Sequence, residues 1–174
     1  PVITAPASIV QEAVGPGGNV VTFTATANDD VDGPVAVVAI PASGSTFPIT
    51  TTTVDLGADD AAGNIAHATF TVTVRDTTPP VVSVPANVTA EATSTSGAAV
   101  SYAAPTASDV VGVTSLTSAP ASGSTFALGI TTVTATAKDA AGNTGTGSFT
   151  VTVKDTTAPT ITSLSTNAPT LWPP

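Results

Sequence analysis

The segment DAAGNIAHATFTVTV, residues 60–74, predicts the fold of its part of the chain. In Phe70-Thr-Val-Thr-Val74, apolar side chains alternate with threonine, a period of two that is typical of a strand with one buried face. Asp60 and Gly63 occupy the first and fourth positions of a type I turn, where a left-handed glycine often closes a bulged hairpin. We therefore expect the last hairpin of a β-sheet domain here, with Gly63 left-handed.

The same segment returns 79 residues later as DAAGNTGTGSFTVTV, residues 139–153, with Gly142 in the place of Gly63. The word PASGSTF likewise begins at Pro41 and again at Pro120, and no gap is needed to align the copies. Self-similarity at a fixed period is the sequence signature of a tandem array. The chain is therefore expected to contain two copies of one unit.

The two copies are expected to cover residues 1–77 and 78–157, joined at Asp76-Thr-Thr-Pro-Pro80. Residues 158–174 start the pattern a third time with PTITSL and then depart from both earlier copies. We interpret this last stretch as the first strand or linker of a further domain.

Proline, glycine and serine divide each copy into short segments, for example at Gly15–Gly18 and Pro41–Gly44. One strand is expected at Val21–Ala25, where apolar residues alternate with threonine, and another at its counterpart Val100–Ala104. No segment has a convincing helical period. About seven short antiparallel strands in roughly 80 residues predict a two-sheet β-sandwich of the immunoglobulin-like kind in each copy.

The composition excludes several classes of partner. The chain has 3 Lys plus Arg against 12 Asp plus Glu, a formal net charge of −9, whereas binding to nucleic acid or anionic membrane needs clustered cations. The longest apolar run, Val35–Ile40, is far shorter than the roughly 20 residues of a membrane span. No charged leader with an apolar core opens the sequence, so we expect any export signal to lie outside it. We therefore expect neither a nucleic-acid partner nor a membrane span.

The order of these words carries a family resemblance. The stretch DTTPPVVSVPANVTAEA, residues 76–92, followed by DVVG, PASGSTF, DAAGN and FTVTV, resembles the HYR (hyalin repeat) domain, and the likeness covers residues 1–157 as two units. It implies an immunoglobulin-like module that occurs in tandem, in secreted or surface-displayed proteins, and is linked to adhesion. Many members carry cysteines near the positions of Val84, Ser118 and Gly147, whereas this chain has none, so no disulfide can stabilise it.

Catalytic groups are scarce. His67 is the sole histidine, its counterpart in the second copy is Thr146, and its place in the strand pattern predicts a surface position. Two groups of carboxylates could in principle hydrolyse sugars as an acid and base pair, but aromatic residues on which a sugar could stack make up only 4% of the chain. We therefore expect no enzyme activity. The carboxylates of these two groups are Asp29, Asp30 and Asp32, and Asp59 and Asp60.

Calcium is the remaining chemical candidate. In an immunoglobulin-like sandwich, the loop after the second strand and the final hairpin lie at one pole, and the last strand leaves at the other. The exit of the first copy should therefore meet the first pole of the second. Calcium binds six to eight oxygen atoms, mostly of carboxylates and carbonyls. A calcium site is predicted at this joint from Asp76, Asp109, Asp139 and Asn143, with Glu12 or Glu91 as a further neighbour.

A second acidic group lies in the first copy, where it would face any module that precedes Pro1. Its candidate calcium ligands are Asp29, Asp30, Asp32 and Asp60. The same residue types also suit turns that hold no metal, since aspartate is favoured at the first position of a type I turn and before Gly-Pro. The sequence leaves both interpretations open.

Two isolated features are less informative. Asn87-Val-Thr89 is a glycosylation sequon, and the proline-flanked Trp172 suits either an interface or the core of its own domain.

Two functions remain. The first is a structural or adhesive rod, a stalk or filament segment that contacts neighbouring modules of its own chain or copies of itself. The alternative is an accessory module that binds a glycan or protein for a larger secreted enzyme or receptor. The scarcity of aromatic and cationic residues favours the rod.

Overall fold

The computed structural model describes residues 1–163. Every regular element in this range is a β-strand, which confirms the predicted all-β class, and no helix there is long and apolar enough to cross a membrane. Residues 155–163 contain no strand. Residues 164–174, with Trp172 and most of the expected entry to a further domain, lie outside the described part of the chain.

Within residues 1–163, nine strands precede the linker and eight follow it. Repeat one contains β1 (Val2–Thr4), β2 (Ile9–Glu12), β3 (Asn19–Val21), β4 (Thr26–Asp29), β5 (Gly33–Val35), β6 (Val38–Ile40), β7 (Ser45–Phe47), β8 (Thr51–Asp59) and β9 (Ile65–Arg75). Repeat two contains β10 (Val81–Ser83), β11 (Val88–Glu91), β12 (Ala98–Ala99), β13 (Thr106–Ser108), β14 (Ser115–Ala119), β15 (Thr125–Phe126), β16 (Gly129–Lys138) and β17 (Thr144–Lys154).

The two repeats share their sheet topology, except that, within the described residues, repeat two has no counterpart of β5. In repeat one a four-stranded sheet of order β2-β9-β8-β6 packs against a sheet β1-β4-β5 and a short pair β3-β7. In repeat two the corresponding sheets are β11-β17-β16-β14, β10-β13 and β12-β15. The long hairpins β8–β9 and β16–β17 are the ones that the sequence predicted, and each forms the centre of its four-stranded sheet.

One strand pair in each repeat is parallel, which differs from the expected antiparallel arrangement. β2 runs alongside β9 with Ile9 opposite Val72, and β11 runs alongside β17 in the same way. Pro6 and Pro85 explain the difference, because each lies between the first two strands of its repeat and cannot donate a ladder hydrogen bond. The chain leaves one sheet there and joins the other next to the last strand.

The predicted strand Val21–Ala25 is interrupted, which raises the strand number above the expected seven. β3 ends at Val21, the first residue of the predicted strand, and β4 begins at Thr26, just after its last residue. Between them the Ser43 hydroxyl accepts a hydrogen bond from the Phe23 backbone N–H and donates one to its carbonyl, both at 2.8 Å. Ser122 holds Tyr102 in the same way, at 2.9 and 3.1 Å. A serine of the word PASGSTF thus replaces two ladder hydrogen bonds.

Each repeat has its own apolar core around the central hairpin. An aromatic pair adds to each core, with ring centroids 4.8 Å apart for Phe23 and Phe70 and 4.9 Å apart for Tyr102 and Phe149. Edge-to-face packing of this kind is favourable for aromatic rings. The buried core of repeat one is Ala13, Val21, Phe47, Val54, Leu56, Phe70, Val72 and Val74. That of repeat two is Ala98, Val100, Phe126, Val133, Phe149, Val151 and Val153.

The two hairpin turns confirm the predicted glycine conformation. Gly63 and Gly142 have φ angles of 84° and 93°, in the region that favours glycine. A Cβ built on either residue would meet no atom within 4 Å, so any cost of a side chain there comes from the backbone alone.

We predict that Gly142→Val destabilises repeat two by about 1–2 kcal/mol, because a β-branched residue is strained at positive φ. The matched control is Ala141→Val, which adds the same side chain one residue earlier, where φ is not positive. Thermal unfolding measures both. Equal melting temperatures for the two variants would contradict the assigned turn.

Candidate metal site at the junction of the repeats

The junction is a five-residue linker, 76–80, which is held by both repeats. β9 ends at Arg75 and β10 begins at Val81. On the repeat-two side, Asn143 Nδ2 donates a hydrogen bond of 3.2 Å to the Asp76 carbonyl, and Val111 packs against the core of repeat one. The linker is therefore seated between the two sandwiches.

Glycine allows the end of the linker to approach repeat two. Pro80 is buried, and a Cβ built on Gly145 would lie 1.8 Å from the Pro80 carbonyl oxygen. The counterpart of Gly145 in repeat one is Ala66, so this glycine belongs to the junction and not to the common pattern of the repeats. The close approach seats the end of the linker against β17.

Three carboxylates meet at this junction. Asp76, Asp109 and Asp139 each offer an oxygen atom, and these atoms lie within 4.8 Å of one another. The sequence predicted this grouping. The Asp109 carboxylate is oriented by the backbone N–H groups of Val111 and Gly112, which donate to its Oδ1 at 2.8 and 3.1 Å.

Asp139 is held by the turn that follows it. Asn143 donates to both of its carboxylate oxygens, from the backbone N–H and from Nδ2, each at 2.8 Å. Burial opposes ionisation of Asp139, but these hydrogen bonds lower its pKa on balance. Since Asn143 donates from its NH₂ group to Asp139 and to the Asp76 carbonyl, it positions the carboxylates in this arrangement.

Asp76 is the least satisfied member of the group. Its side chain is only 6% exposed, its Oδ1 accepts a hydrogen bond of 3.2 Å from the Thr78 N–H, and its Oδ2 has no hydrogen-bond partner within residues 1–163. Burial raises the pKa of Asp76, and the charges of Asp109 and Asp139 raise it further. Without a cation, the stability contributed by Asp76 is therefore present below pH 3.8 and is lost as the pH rises through the raised pKa.

Within the described part of the chain, no basic side chain forms an ion pair with the three carboxylates. The chain has three Lys plus Arg, at Arg75, Lys138 and Lys154, and within residues 1–163 the one ion pair joins the Pro1 amine to Asp29 at 3.0 Å. Buried charge without a partner is costly. The junction therefore has the electrostatic character of a cation site.

The acidic group of repeat one differs in a way that the sequence did not show. Asp29, Asp32 and Asp60 lie together, whereas Asp30 is exposed and outside the group. The Ala61 N–H donates to Asp32 Oδ2 at 3.0 Å.

Hydrogen bonds stabilise the ionised form of the carboxylates in this second group. The Val31 N–H, the Pro1 amine and the Asp32 N–H lower the pKa of Asp29 to about 2. The side chain and the backbone N–H of Asn64 lower that of Asp60. These hydrogen bonds hold the carboxylates in their local turns.

Glu12 and Glu91 have a role that sequence reasoning missed. Glu12 accepts hydrogen bonds from the Thr77 N–H at 2.6 Å and from the hydroxyls of Thr77 and Thr78 at 2.8 and 3.1 Å. Glu91 makes the equivalent contacts with Thr156 and Thr157, at the exit of repeat two. Glu91 is therefore not part of the junction, whereas Glu12 adjoins it. The repeated word Asp-Thr-Thr was the signal in the sequence.

His67 lies on the exposed face of β9, opposite Gly57 of β8, in the surface position that the sequence predicted.

Comparison with known proteins agrees with this architecture. The molecule is a tandem of two β-sandwich repeats, and the HYR domain profile matches residues 1–74 and 75–153. The chain belongs to the HYR domain family. It is 39% identical over 172 residues to hyalin of Lytechinus variegatus, covering 93% of the chain and 32% of that protein. It is 41% identical over 178 residues to hyalin of Strongylocentrotus purpuratus, covering 95% of the chain and 15% of that protein.

The chain thus spans less than a third of the length of each hyalin. Among solved structures it is similar to fibronectin(III)-like modules of Clostridium thermocellum CbhA, with 16% identity, a TM-score of 0.34 and coverage of 88% of this chain and 95% of that one. It is also similar to the EC1-3 region of protocadherin gamma C5, with 15% identity, a TM-score of 0.35 and coverage of 84% and 65%.

The contact between Gly145 and Pro80 gives a prediction for the junction. Gly145→Ala should destabilise repeat two by about 1–3 kcal/mol, because the new methyl group meets backbone that cannot move aside easily. The control is Thr146→Ala, a change at the next, exposed position of β17. Thermal unfolding compares the two variants. A Gly145→Ala variant as stable as the unchanged chain would show that the linker is not seated on repeat two.

The hydrogen bonds to Glu12 and Glu91 predict that the folded chain loses stability in acid. Hydrogen bonds from the threonines hold the pKa of both below the ordinary 4.5. Their contribution is therefore full above about pH 4.5 and is lost as the pH falls through the lowered pKa. We expect the double variant Glu12→Gln/Glu91→Gln to show a smaller fall in melting temperature on acidification than the unchanged chain.

The control for this experiment is Asp55→Asn/Asp59→Asn, which removes the same number of charges from exposed positions on β8. If it flattens the pH dependence as much as the glutamate variant does, general charge repulsion and not the threonine contacts is responsible.

Proposed function

We propose that this chain is a non-catalytic structural module of an extracellular adhesion protein, a rod-like stalk or filament segment of tandem β-sandwiches. The functional units are residues 1–77 and 78–157. The observation that carries the proposal is the junction, where a short linker joins the two sandwiches and repeat two contacts both the linker and the core of repeat one. An array built in this way sets the distance and the relative orientation of the segments at its two ends.

The linker itself supports a fixed joint. Pro79 and Pro80 restrict the backbone, and Glu12 holds Thr77 and Thr78 from the repeat-one side. Few residues between the sandwiches are left free to bend. A stiff connection favours a spacer over a pair of independently moving domains.

Neighbouring modules of the same kind, or copies of this chain, are the proposed partners. The exit of repeat two repeats the contacts of the exit of repeat one, with Glu91 accepting from Thr156 and Thr157 as Glu12 accepts from Thr77 and Thr78. The same connection can therefore be made again. Membership of the HYR family supports a secreted or cell-surface location for such an array.

Calcium is the proposed cofactor. The acidic groups consist of hard oxygen donors without cysteine or histidine, which suits calcium better than a transition metal.

An accessory binding module is the alternative function, and one surface favours it. A shallow cleft on the outer face of the large sheet of repeat one is lined by Val38, Ile40, Asp55, Leu56, Gly57 and His67. Val38 and Ile40 are 61% and 67% exposed. Their counterparts in repeat two are Thr117 and Ala119, so the apolar surface is particular to repeat one.

Small-angle scattering tests the rod. Two modules of about 35 Å placed end to end give a radius of gyration above about 20 Å. A single compact body of this length would have about 16 Å. A value near the lower figure would mean that the repeats fold back on each other and would overturn the rod.

A binding assay separates the two functions. The structural proposal predicts no retention on a panel of immobilised polysaccharides and no hydrolysis of them. Retention that is lost in Ile40→Thr but kept in Ala119→Thr, the counterpart position of repeat two, would instead establish the apolar cleft as a ligand site and favour the accessory module.

A further inference from the structure

We propose that the junction binds one calcium ion through the carboxylates of Asp76, Asp109 and Asp139, and that this ion couples the two repeats. The inference rests on the calcium proposed above and goes further, because it assigns the ion to one of the two acidic groups. It also gives the ion a task, since Asp76 belongs to the exit of repeat one and the other two ligands to the first pole of repeat two.

The unpartnered oxygen of Asp76 points to a ligand. Its Oδ2 is buried and receives no hydrogen bond within residues 1–163, and an oxygen of its carboxylate lies within 4.8 Å of oxygens of the other two carboxylates. Buried polar atoms in folded proteins are nearly always satisfied by protein, water or an ion. Here the neighbouring atoms are negatively charged oxygens, which cannot donate a hydrogen bond when ionised. A cation is the partner that satisfies Asp76 and its neighbours at once.

The donors favour calcium over other cations. Calcium accepts mixed oxygen ligands in a flexible geometry and completes its shell with carbonyls and water, whereas magnesium demands a near-ideal octahedron. The carboxylates are oriented in advance by backbone N–H groups at Asp109 and by Asn143 at Asp139. Ligands that are already held lose little freedom when the ion binds.

The acidic group of repeat one serves as an internal comparison. It has the same number of carboxylates, and Asp60 accepts the same two hydrogen bonds from Asn64 that Asp139 accepts from Asn143, so the unpartnered oxygen of Asp76 is what distinguishes the junction. No unpartnered buried oxygen is found there within the described residues. We therefore assign no calcium to this group, although the sequence suggested both.

Coupling follows from the position of the site. An ion that needs ligands from both repeats binds less tightly when either repeat unfolds or when the linker swings away. By linkage, the bound ion stabilises both the fold and the angle between the repeats. In its absence the three carboxylates repel one another, so the joint should be looser in a chelator.

Isothermal titration of the whole chain with CaCl₂ tests the site, with two pairs of matched variants. Asp76→Asn is compared with Asp155→Asn, the counterpart at the exit of repeat two, which is exposed. Asp139→Asn is compared with Asp60→Asn, the counterpart in the hairpin of repeat one. We expect one ion per chain, an affinity lowered about tenfold or more by Asp76→Asn and Asp139→Asn, and little change in the two controls.

Amide signals in NMR give the location independently. Calcium should shift the signals of Thr78, Val111 and Asn143, whose N–H groups donate to the three carboxylates, and leave those of Val31 and Asn64 in place. The melting temperature should rise by several degrees with millimolar calcium relative to chelator, and Asp76→Asn should abolish the rise.

The outcomes separate the proposals. Loss of binding in Asp60→Asn, with Asp76→Asn unaffected, would show that calcium binds at repeat one and would overturn the junction site while leaving the cofactor proposal intact. No heat and no shifts at millimolar calcium would overturn both. Neither result would touch the rod, which scattering tests in chelator as well as in calcium.

Discussion

The long hairpin at the centre of each repeat is the element to which the others attach. In repeat one, β9 pairs with β8 on one side and β2 on the other, and β8 carries β6. The alternation of threonine with valine and phenylalanine along β9 decides which face is buried, and a shift of one residue would expose that whole set. The core is therefore specified by the alternation of residue types more than by the size of the core. This matters because a unit of about 80 residues buries a smaller share of its surface than a larger domain does and has no disulfide.

Polar side chains restrain loops and strand exits that a larger core would otherwise hold in place. Ser43 and Ser122 stand in for strand partners, and Glu12 and Glu91 hold the exits. Each contact joins parts of the chain that lie 20 or more residues apart, so it restrains a loop rather than a single turn. The serine contacts give a structural role to the serine that recurs at Ser43 and Ser122.

Much of this arrangement was predictable from local pattern. The hairpins, the left-handed glycines and the meeting of Asp76 with Asp109 and Asp139 follow from period, turn chemistry and the poles of a sandwich. The burial of Asp76 was not predictable, because it depends on how repeat two packs against the end of repeat one, through Asn143 and Val111. The position of Glu91 depends on its contacts with the segment that follows the last strand of its own repeat. The parallel pair depends on the passage of the chain from one sheet to the other. Such contacts between distant segments leave no periodic signal.

The parallel pairing of β2 with β9 has a mechanical consequence. β2 lies near the start of the repeat and β9 at its end, so tension along the chain pulls two parallel strands in opposite directions. Once β1 has detached, the load acts along the ladder from Ile9 to Glu12 and strains its hydrogen bonds together, in shear, instead of opening them one after another. A tether built from such units would yield little until a threshold force is reached, and then release one repeat at a time.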